Sequence, residues 1–304
     1  MKAIFFIESP LQLLNAYEAK SFFEVQEYIY YIRFSGLVNN DKQLLNLIKV
    51  LDLKNIERIT INTTSRSIKD YITLLYYKYI YKVPSSFDKV FIGNFDSGFF
   101  NLIIKKINKS KIILLDDGAK SIDIQKNFSE ENYYNLFTMY NLKIFSQQKV
   151  FKNSYNQLQK NLKNITRNKN KILFLGLKLS EIGIVTEEYY LQQIQKIVNN
   201  YGEKELIYIS HRGENRNKID KIIAIQNIKV LELDYPVELY GLYNEEIPYK
   251  VASFYSTALY TMKNIYNIEA ESFMFDFSHS KYKTTIANVY SYYEKYFEVI
   301  DLND

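Results

Sequence analysis

Short apolar runs recur along this chain, and stretches of helical spacing separate them. The runs at 2–7, 27–32, 56–61, 89–92 and 111–115 have the length and the β-branched and aromatic content of buried strands. Between them, 11–23, 41–51 and 67–81 carry helical periodicity, and Pro10 stands where the first helix begins and a missing N–H costs nothing. Strands alternating with helices can close hydrogen bonds only through crossover connections, which builds a parallel sheet with helices on both faces.

The scheme then runs a second time. Strands are expected at 171–175, 205–209, 228–231 and 249–254, and 273–277 reads as buried structure. Helices are expected at 186–198, 256–264 and 281–296, the first with Thr186 as N-cap and Tyr189 three residues on. A length of 304 residues suits two domains. The expected architecture is therefore two Rossmann-like α/β domains, residues 1–155 and 165–304, with parallel sheets facing across a cleft and the last helix packing back on the first domain. The linker is placed at 151–171, which holds Lys152, Lys160, Lys163, Arg167, Lys169 and Lys171 and no acid. In open α/β sheets ligands bind beyond the carboxyl ends of the strands, so the chemistry is sought there.

Composition narrows the classes. Apolar residues make up 47% and charged residues 24%, the balance of a globular protein. With no Cys there is no disulfide framework, zinc–thiolate site or thiol nucleophile, and with two His, His211 and His279, no multi-histidine metal centre; no metal or cofactor is expected. The opening apolar run meets Glu8 and Pro10 too soon for a signal peptide, and the most lipid-like stretch, 71–83, is interrupted by Lys78 and Lys82. The expectation is a cytoplasmic protein able to touch the inner face of the membrane. A net charge of +5 favours anionic ligands or anionic lipid. The basic 151–171 stretch offers only Phe151 and Tyr155 for base stacking, so no nucleic-acid partner is expected; a solvated linker or a lipid-facing patch accounts for it better.

Four constellations could carry chemistry. Asp116-Asp117-Gly118 follows a buried strand: this is common turn chemistry, or a carboxylate general base projecting from a strand end. His211-Arg212 also follows a strand: an exposed loop pair, or an anion site in which His211 donates to a departing phosphate and Arg212 binds a carboxylate or phosphate. Glu238 opens a helix, where an acid suits the dipole, or binds ribose hydroxyls. Ser256-Thr257 caps a helix, or cradles a phosphate with the free N–H groups there. His279 reads as a loop or cap residue.

Taken in order, these residues resemble the bacterial sialyltransferases of the GT-B fold, including the lipooligosaccharide sialyltransferases and the capsular polysialyltransferases. The resemblance rests on Asp116-Asp117-Gly118, His211 and Ser256-Thr257, with Glu8-Ser9-Pro10-Leu11-Gln12 at the opening and Gly176-Leu177-Lys178-Leu179-Ser180-Glu181 in the second half. Arg212 stands where that family has Pro. The resemblance implies an inverting, metal-independent transfer of sialic acid from CMP-sialic acid to a cell-surface glycan or glycolipid. Asp116, or Asp117, would be the base and His211 the phosphate partner. Ser9, Gln12, Gly118, Arg212, Glu238, Ser256 and Thr257 would bind substrates, and the family's dimers make a homodimer an expectation. Two rival readings remain: a glycosyltransferase using another nucleotide-activated sugar, and a non-catalytic glycan-binding protein of polysaccharide assembly.

Overall fold

The computed structural model describes residues 1–118, 121–122, 128–162 and 164–303, so Ala119 beside the Asp-Asp-Gly motif and Lys163 of the basic stretch lie outside the described residues. The described chain divides into two compact units, Met1–Leu158 with Asp234–Pro236, and Gln159–Leu233 with Val237–Asp304.

In unit 1 the elements run β1 (Lys2–Ile7), α1 (Pro10–Phe22), β2 (Glu27–Phe34), α2 (Val38–Val50), β3 (Ile56–Thr60), α3 (Ile68–Leu75), β4 (Lys89–Ile92), α4 (Gly98–Ile104), β5 (Ile112–Leu115), β6 (Asn135–Thr138) and β7 (Val150–Lys152), with α5 (Asn156–Asn161) at the boundary. All seven strands pair in parallel, in the order β3-β2-β1-β4-β5-β6-β7. Because both faces of a parallel sheet are covered, β1 is buried without alternation from Ala3 to Ile7. The helices start as the sequence dictates. The Ser9 hydroxyl accepts the Gln12 N–H ahead of Pro10, and Ser67 and Asp70 form a reciprocal capping box on α3. The helix expected over 67–81 changes character inside: a π-helical turn, Tyr76–Ile80, continues α3, and the Lys106 ammonium donates to the Tyr77 and Tyr81 carbonyls that this turn leaves open.

Unit 2 repeats the plan: β8 (Thr166–Leu175), α6 (Glu187–Tyr201), β9 (Glu205–Ile209), α7 (Arg216–Ile223), β10 (Ile228–Leu231), a 3₁₀ turn (Val237–Leu239) leading into α8 (Tyr240–Asn244), β11 (Glu246–Ser253), α9 (Ala258–Tyr266), β12 (Glu269–Met274), α10 (Lys283–Tyr293) and β13 (Glu298–Asp301). Its sheet is again parallel, in the order β10-β9-β8-β11-β12-β13. Two such sheets, each with the strand order reversing beside its first strand, make the GT-B arrangement of two Rossmann-like domains.

Several elements differ from the sequence expectation for physical reasons. The basic stretch 151–171 is largely structured, since β7, α5 and the first half of β8 occupy it. There β8 and β11 pair from Thr166 onward, with a register break between Pro248 and Lys250 where Pro has no N–H to offer the ladder. The last helix, α10, lies against β12 and β13 of its own unit. Conversely, Asp234–Pro236 belong to unit 1, where the Gln43 side chain donates to the Tyr235 carbonyl (3.3 Å) and Asn46 to that of Asp234 (2.7 Å).

Candidate functional site

A parallel sheet of this order has one place where the connections leave in opposite directions, the gap between its first and fourth strands, and a crevice opens there at the carboxyl ends. In unit 1 that gap lies between β1 and β4. Glu8 leaves β1 and gathers polar groups from its neighbours. Arg33, near the end of β2, forms an ion pair with it at 2.8 Å; Asn94 and Ser97, after β4, donate to its two oxygens at 2.6 and 3.0 Å. Gln12, on the first turn of α1, accepts the Glu8 N–H (2.8 Å) and donates to Asp117 (2.8 Å). Ser9 is used as the cap of α1.

The two adjacent aspartates have different fates. Successive residues beyond a strand point to opposite sides, and here one side is core. Asp116 is buried, its carboxylate accepting the Thr138 hydroxyl and the Met139 N–H, both at 2.7 Å. Burial pushes its carboxyl up to about 6, against the pull of Thr138, Met139, Ser121 and Lys152. Its carbonyl accepts from Asn15, which in turn takes hydrogen bonds from Asn153 and Tyr155, so this carboxylate sits within a buried framework joining α1 to β6 and the chain beyond β7. Asp117 is half-buried, beside Gln12, with its N–H on Ser121 (3.0 Å). Gly118 follows at φ +71°, a left-handed turn that a side chain resists. Asp117 is thus the more open member of the pair.

In unit 2 the corresponding gap lies between β8 and β11. Beyond β8 stands Gly176, where a Cβ would come within 2.6 Å of Glu214 and run into the Tyr208 hydroxyl. Beyond β11 come Ser256 and Thr257, both half-buried, at the start of α9. The Ser256 hydroxyl accepts the Ala258 N–H at 3.3 Å, while Thr257 occupies the N-cap position with no side-chain cap bond. Tyr293 fixes this turn by donating to the Ser256 carbonyl (2.9 Å).

His211 and Arg212 leave the end of β9. The His211 Nδ1 accepts the Gly213 N–H at 3.0 Å, so in the neutral ring the proton sits on Nε2. Burial, with Arg212, Lys178 and Lys218 nearby, holds the imidazole down to about 4. At neutral pH it is therefore an uncharged hydrogen-bond donor rather than a proton donor. Arg212 is exposed. Glu238, expected to open a helix, lies in the 3₁₀ turn before α8; it is buried, accepts from Thr261 (3.1 Å), and burial raises its carboxyl above the usual range.

Beneath these loops runs a buried charge network that the sequence reading gave no role. The Lys218 ammonium meets Glu214 at 2.8 Å and Glu181 at 2.9 Å, with the Lys218 and Glu214 side chains fully enclosed. Glu214 also takes the Tyr208 hydroxyl and the His211 N–H, both at 2.6 Å, and Glu181 takes the Asn215 N–H at 2.9 Å. Tyr190 completes it, in contact with the Tyr208 hydroxyl (2.7 Å) and accepting the Leu177 N–H (3.1 Å). The network ties the loop beyond β8 to the loop beyond β9 and sets the backbone of His211. Burial raises Glu214; in Glu181 the hydrogen bonds from Asn215 and Lys218 outweigh burial and lower it. One signal for it was in the sequence: Glu214 and Lys218 are spaced i, i+4 across the start of a helix.

No family model matches this chain, and no curated protein matches it. Solved structures do. The UDP-GlcNAc 2-epimerase of Methanocaldococcus jannaschii in complex with UDP-GlcNAc and UDP aligns over 99% of this chain and 88% of its own, at 12% identity and TM-score 0.60. The Staphylococcus aureus MnaA–UDP structure aligns over 97% and 87% at 14% identity and TM-score 0.56. Acinetobacter baumannii MurG aligns over 99% and 86% at 10% identity and TM-score 0.50. At these identities the likeness shows the fold. It also corrects the resemblance drawn from short motifs: these structural neighbours include UDP-GlcNAc 2-epimerases, MurG and Arabidopsis thaliana UGT89C1, not sialyltransferases, and the nucleotides they hold are UDP, UDP-GlcNAc and UDP-L-rhamnose, not CMP-sialic acid. The motifs misled because an acid-acid-Gly turn, a His at a strand end and a Ser-Thr helix start are what a Rossmann sheet places at its carboxyl edge whatever nucleotide it serves.

Proposed function

We propose that this chain is an enzyme acting on a UDP-activated sugar, with unit 2 binding the nucleotide diphosphate. The observation that carries the reading is the switch point of the second sheet. There Gly176 clears the end of β8, and Ser256 and Thr257 stand at the start of α9 beyond β11. Neutral His211 and cationic Arg212 follow β9, the next strand over. Hydroxyls, helix N–H groups, an uncharged imidazole N–H and a guanidinium form a donor set suited to a diphosphate. Glu238, already desolvated, is the proposed acceptor for the ribose hydroxyls.

In the reaction proposed, the bond between the anomeric carbon and the diphosphate oxygen breaks, its electron pair leaving with UDP, and an acceptor hydroxyl forms the new bond as its proton passes to a base. The donor set in unit 2 offsets the charge that develops on the leaving diphosphate. A second reading, epimerisation of the UDP-sugar itself, is favoured by the names of several structural neighbours. The reading places the protein in the cytoplasm, which supplies nucleotide sugars and whose reducing conditions suit a chain with no Cys.

The test is calorimetric titration with UDP, UDP-GlcNAc and CMP, followed by NMR of UDP-GlcNAc incubated with the enzyme in deuterated water. Tight UDP binding with acceptor-dependent UDP release supports transfer. Deuterium entering carbon 2 without an acceptor supports epimerisation. Failure of UDP and UDP-GlcNAc to bind would sink both.

A further inference from the structure

Helix α3 and the π-helical turn that continues it carry their apolar stripe outward. Ile68, Tyr71, Ile72, Leu75, Tyr76 and Tyr79 recur at i, i+3, i+4, i+7, i+8 and i+11, one continuous face, and they are 80%, 55%, 62%, 54%, 45% and 65% exposed. The opposite side of the same segment, Asp70, Tyr77 and Tyr81, is the one buried in unit 1. A surface helix ordinarily turns its apolar stripe to the core; here the core takes a capping acid and two tyrosines, and the aliphatic stripe is left to water. A contiguous face of this kind marks an interaction surface.

The charges around it say what covers it. Arg66, Lys69, Lys78 and Lys82 are all exposed, with Lys69 and Lys78 on opposite flanks of the stripe. The segment's one acid, Asp70, is buried and bound to Ser67 and Asn62. Apolar and aromatic residues in a plane with cations at the rim match the boundary of an anionic bilayer, where rings sit at headgroup level and lysines reach the phosphates. A cavity of about 430 Å³ opens against the same segment, lined by Arg33, Arg66, Lys78, Tyr71, Leu75 and Phe99 among others. Arg33 is buried, and its Nε has no hydrogen-bond partner. The cavity combines cations with apolar wall, the chemistry of a lipid phosphate and the first carbons of its chains. We propose that the 68–80 segment is a membrane-docking surface that seats unit 1 on an anionic lipid leaflet. This rests on the exposed face alone and stands whether or not the chain acts on a UDP-sugar.

The experiment is co-sedimentation of the full chain with phosphatidylcholine vesicles, with and without phosphatidylglycerol, at low and high salt. The expected result is binding to the anionic vesicles only, weakened by salt. Neutralising Lys69 and Lys78 together (Lys69→Gln with Lys78→Gln) is expected to lower the partition coefficient about 30-fold, from about fivefold per cation at about 1 kcal/mol each. Ile72→Asp with Tyr79→Asp, exposed positions whose replacement leaves the core intact, is expected to abolish binding while the thermal midpoint and UDP affinity stay those of the parent. Equal recovery in the supernatant with both vesicle types overturns the proposal. So does binding that survives the Ile72→Asp, Tyr79→Asp change, or a dimer in sedimentation velocity that this change disperses, which would assign the face to a second copy of the chain.

Discussion

Removing the Lys218 ammonium tests whether the buried network sets the unit 2 loops. In Lys218→Met the packing is nearly conserved, but Glu214, fully enclosed, loses the cation 2.8 Å away. A buried charge stripped of its partner costs about 3–5 kcal/mol, yet Glu214 can escape by holding a proton. Taking up that proton at pH 7 against an ordinary value of 4.5 costs about 3.4 kcal/mol, at 1.36 kcal/mol per pH unit. The protonation route therefore caps the penalty at about 3 kcal/mol at pH 7. The sign follows from linkage: the variant's folded state keeps a proton that the unfolded state releases, so its stability is intact below pH 4.5 and falls as pH rises. The deficit relative to the parent should shrink from about 3 kcal/mol at pH 7 toward zero near pH 4.5. Adding Glu214→Gln should restore most of it. The Gln oxygen can accept the His211 N–H and its amide can donate to the Tyr208 oxygen, so the buried charge is removed and what is left is one hydroxyl proton of the Tyr208–Tyr190 pair to reorient. The assay is denaturant unfolding from pH 5 to 8, followed by tyrosine fluorescence and far-UV circular dichroism, reading the transition of unit 2. A single-variant cost below about 1 kcal/mol that does not change with pH would refute the reasoning, because it would mean that Glu214 is solvated in the native protein.

Further outcomes can be checked with the same preparations. Asp117→Asn should leave the thermal midpoint of unit 1 unchanged in calorimetry, since the amide oxygen can still accept from Gln12. Asp116→Asn should act on stability. The parent's Asp116 is raised from 3.8 to about 6, so the parent loses up to about 3 kcal/mol as pH rises through that window, and the variant should lose that slope in unfolding curves from pH 4 to 7. Because His211 stays neutral down to about 4, the affinity for UDP-GlcNAc, whose diphosphate has no terminal phosphate titrating near 6, should show no step near pH 6.5 in calorimetry, and a step there would overturn its assignment as an uncharged donor. Gly176→Ala should destabilise unit 2 by about 1–3 kcal/mol through collision with Tyr208 and Glu214, and weaken UDP binding together with it.

The sequence carried the fold well because its signal is periodic and local. The strands at 2–7, 89–92, 205–209 and 228–231 lie where apolar runs place them, and Ser67, Thr186 and Pro10 mark real helix starts. It carried the edges poorly. Strands β6, β7 and β13 are each three or four residues long, and what makes them strands is a neighbour with open hydrogen bonds, not their own pattern. The basic stretch at 151–171 misled in the same way: Arg167 spends its guanidinium on the Tyr266 and Asn267 carbonyls and Lys171 pairs with Glu246, so charges that read as solvated linker serve the end of α9 and the start of β11.

The pair Asp116-Asp117 shows where legibility ends. Composition and spacing mark both as candidate bases, and nothing local separates them. What separates them is the direction in which each leaves β5: one toward Thr138 and Met139, on a strand twenty residues on, the other toward Gln12, more than a hundred residues back. Chemical role is thus assigned by sheet order, since only the placement of β6 beside β5 turns the first carboxylate into a structural acceptor. The same logic governs unit 2, where His211 is recognisable as a residue but its state is not. Its neutrality is imposed first by burial and then by Arg212, Lys178 and Lys218 nearby. Short motifs carry residue identities alone, and on identities these resemble a sialyltransferase's. The structure weighs what each side chain is held against, and on that measure Asp116 is a buried acceptor for Thr138 and Met139 while Asp117 is the more open carboxylate beside Gln12.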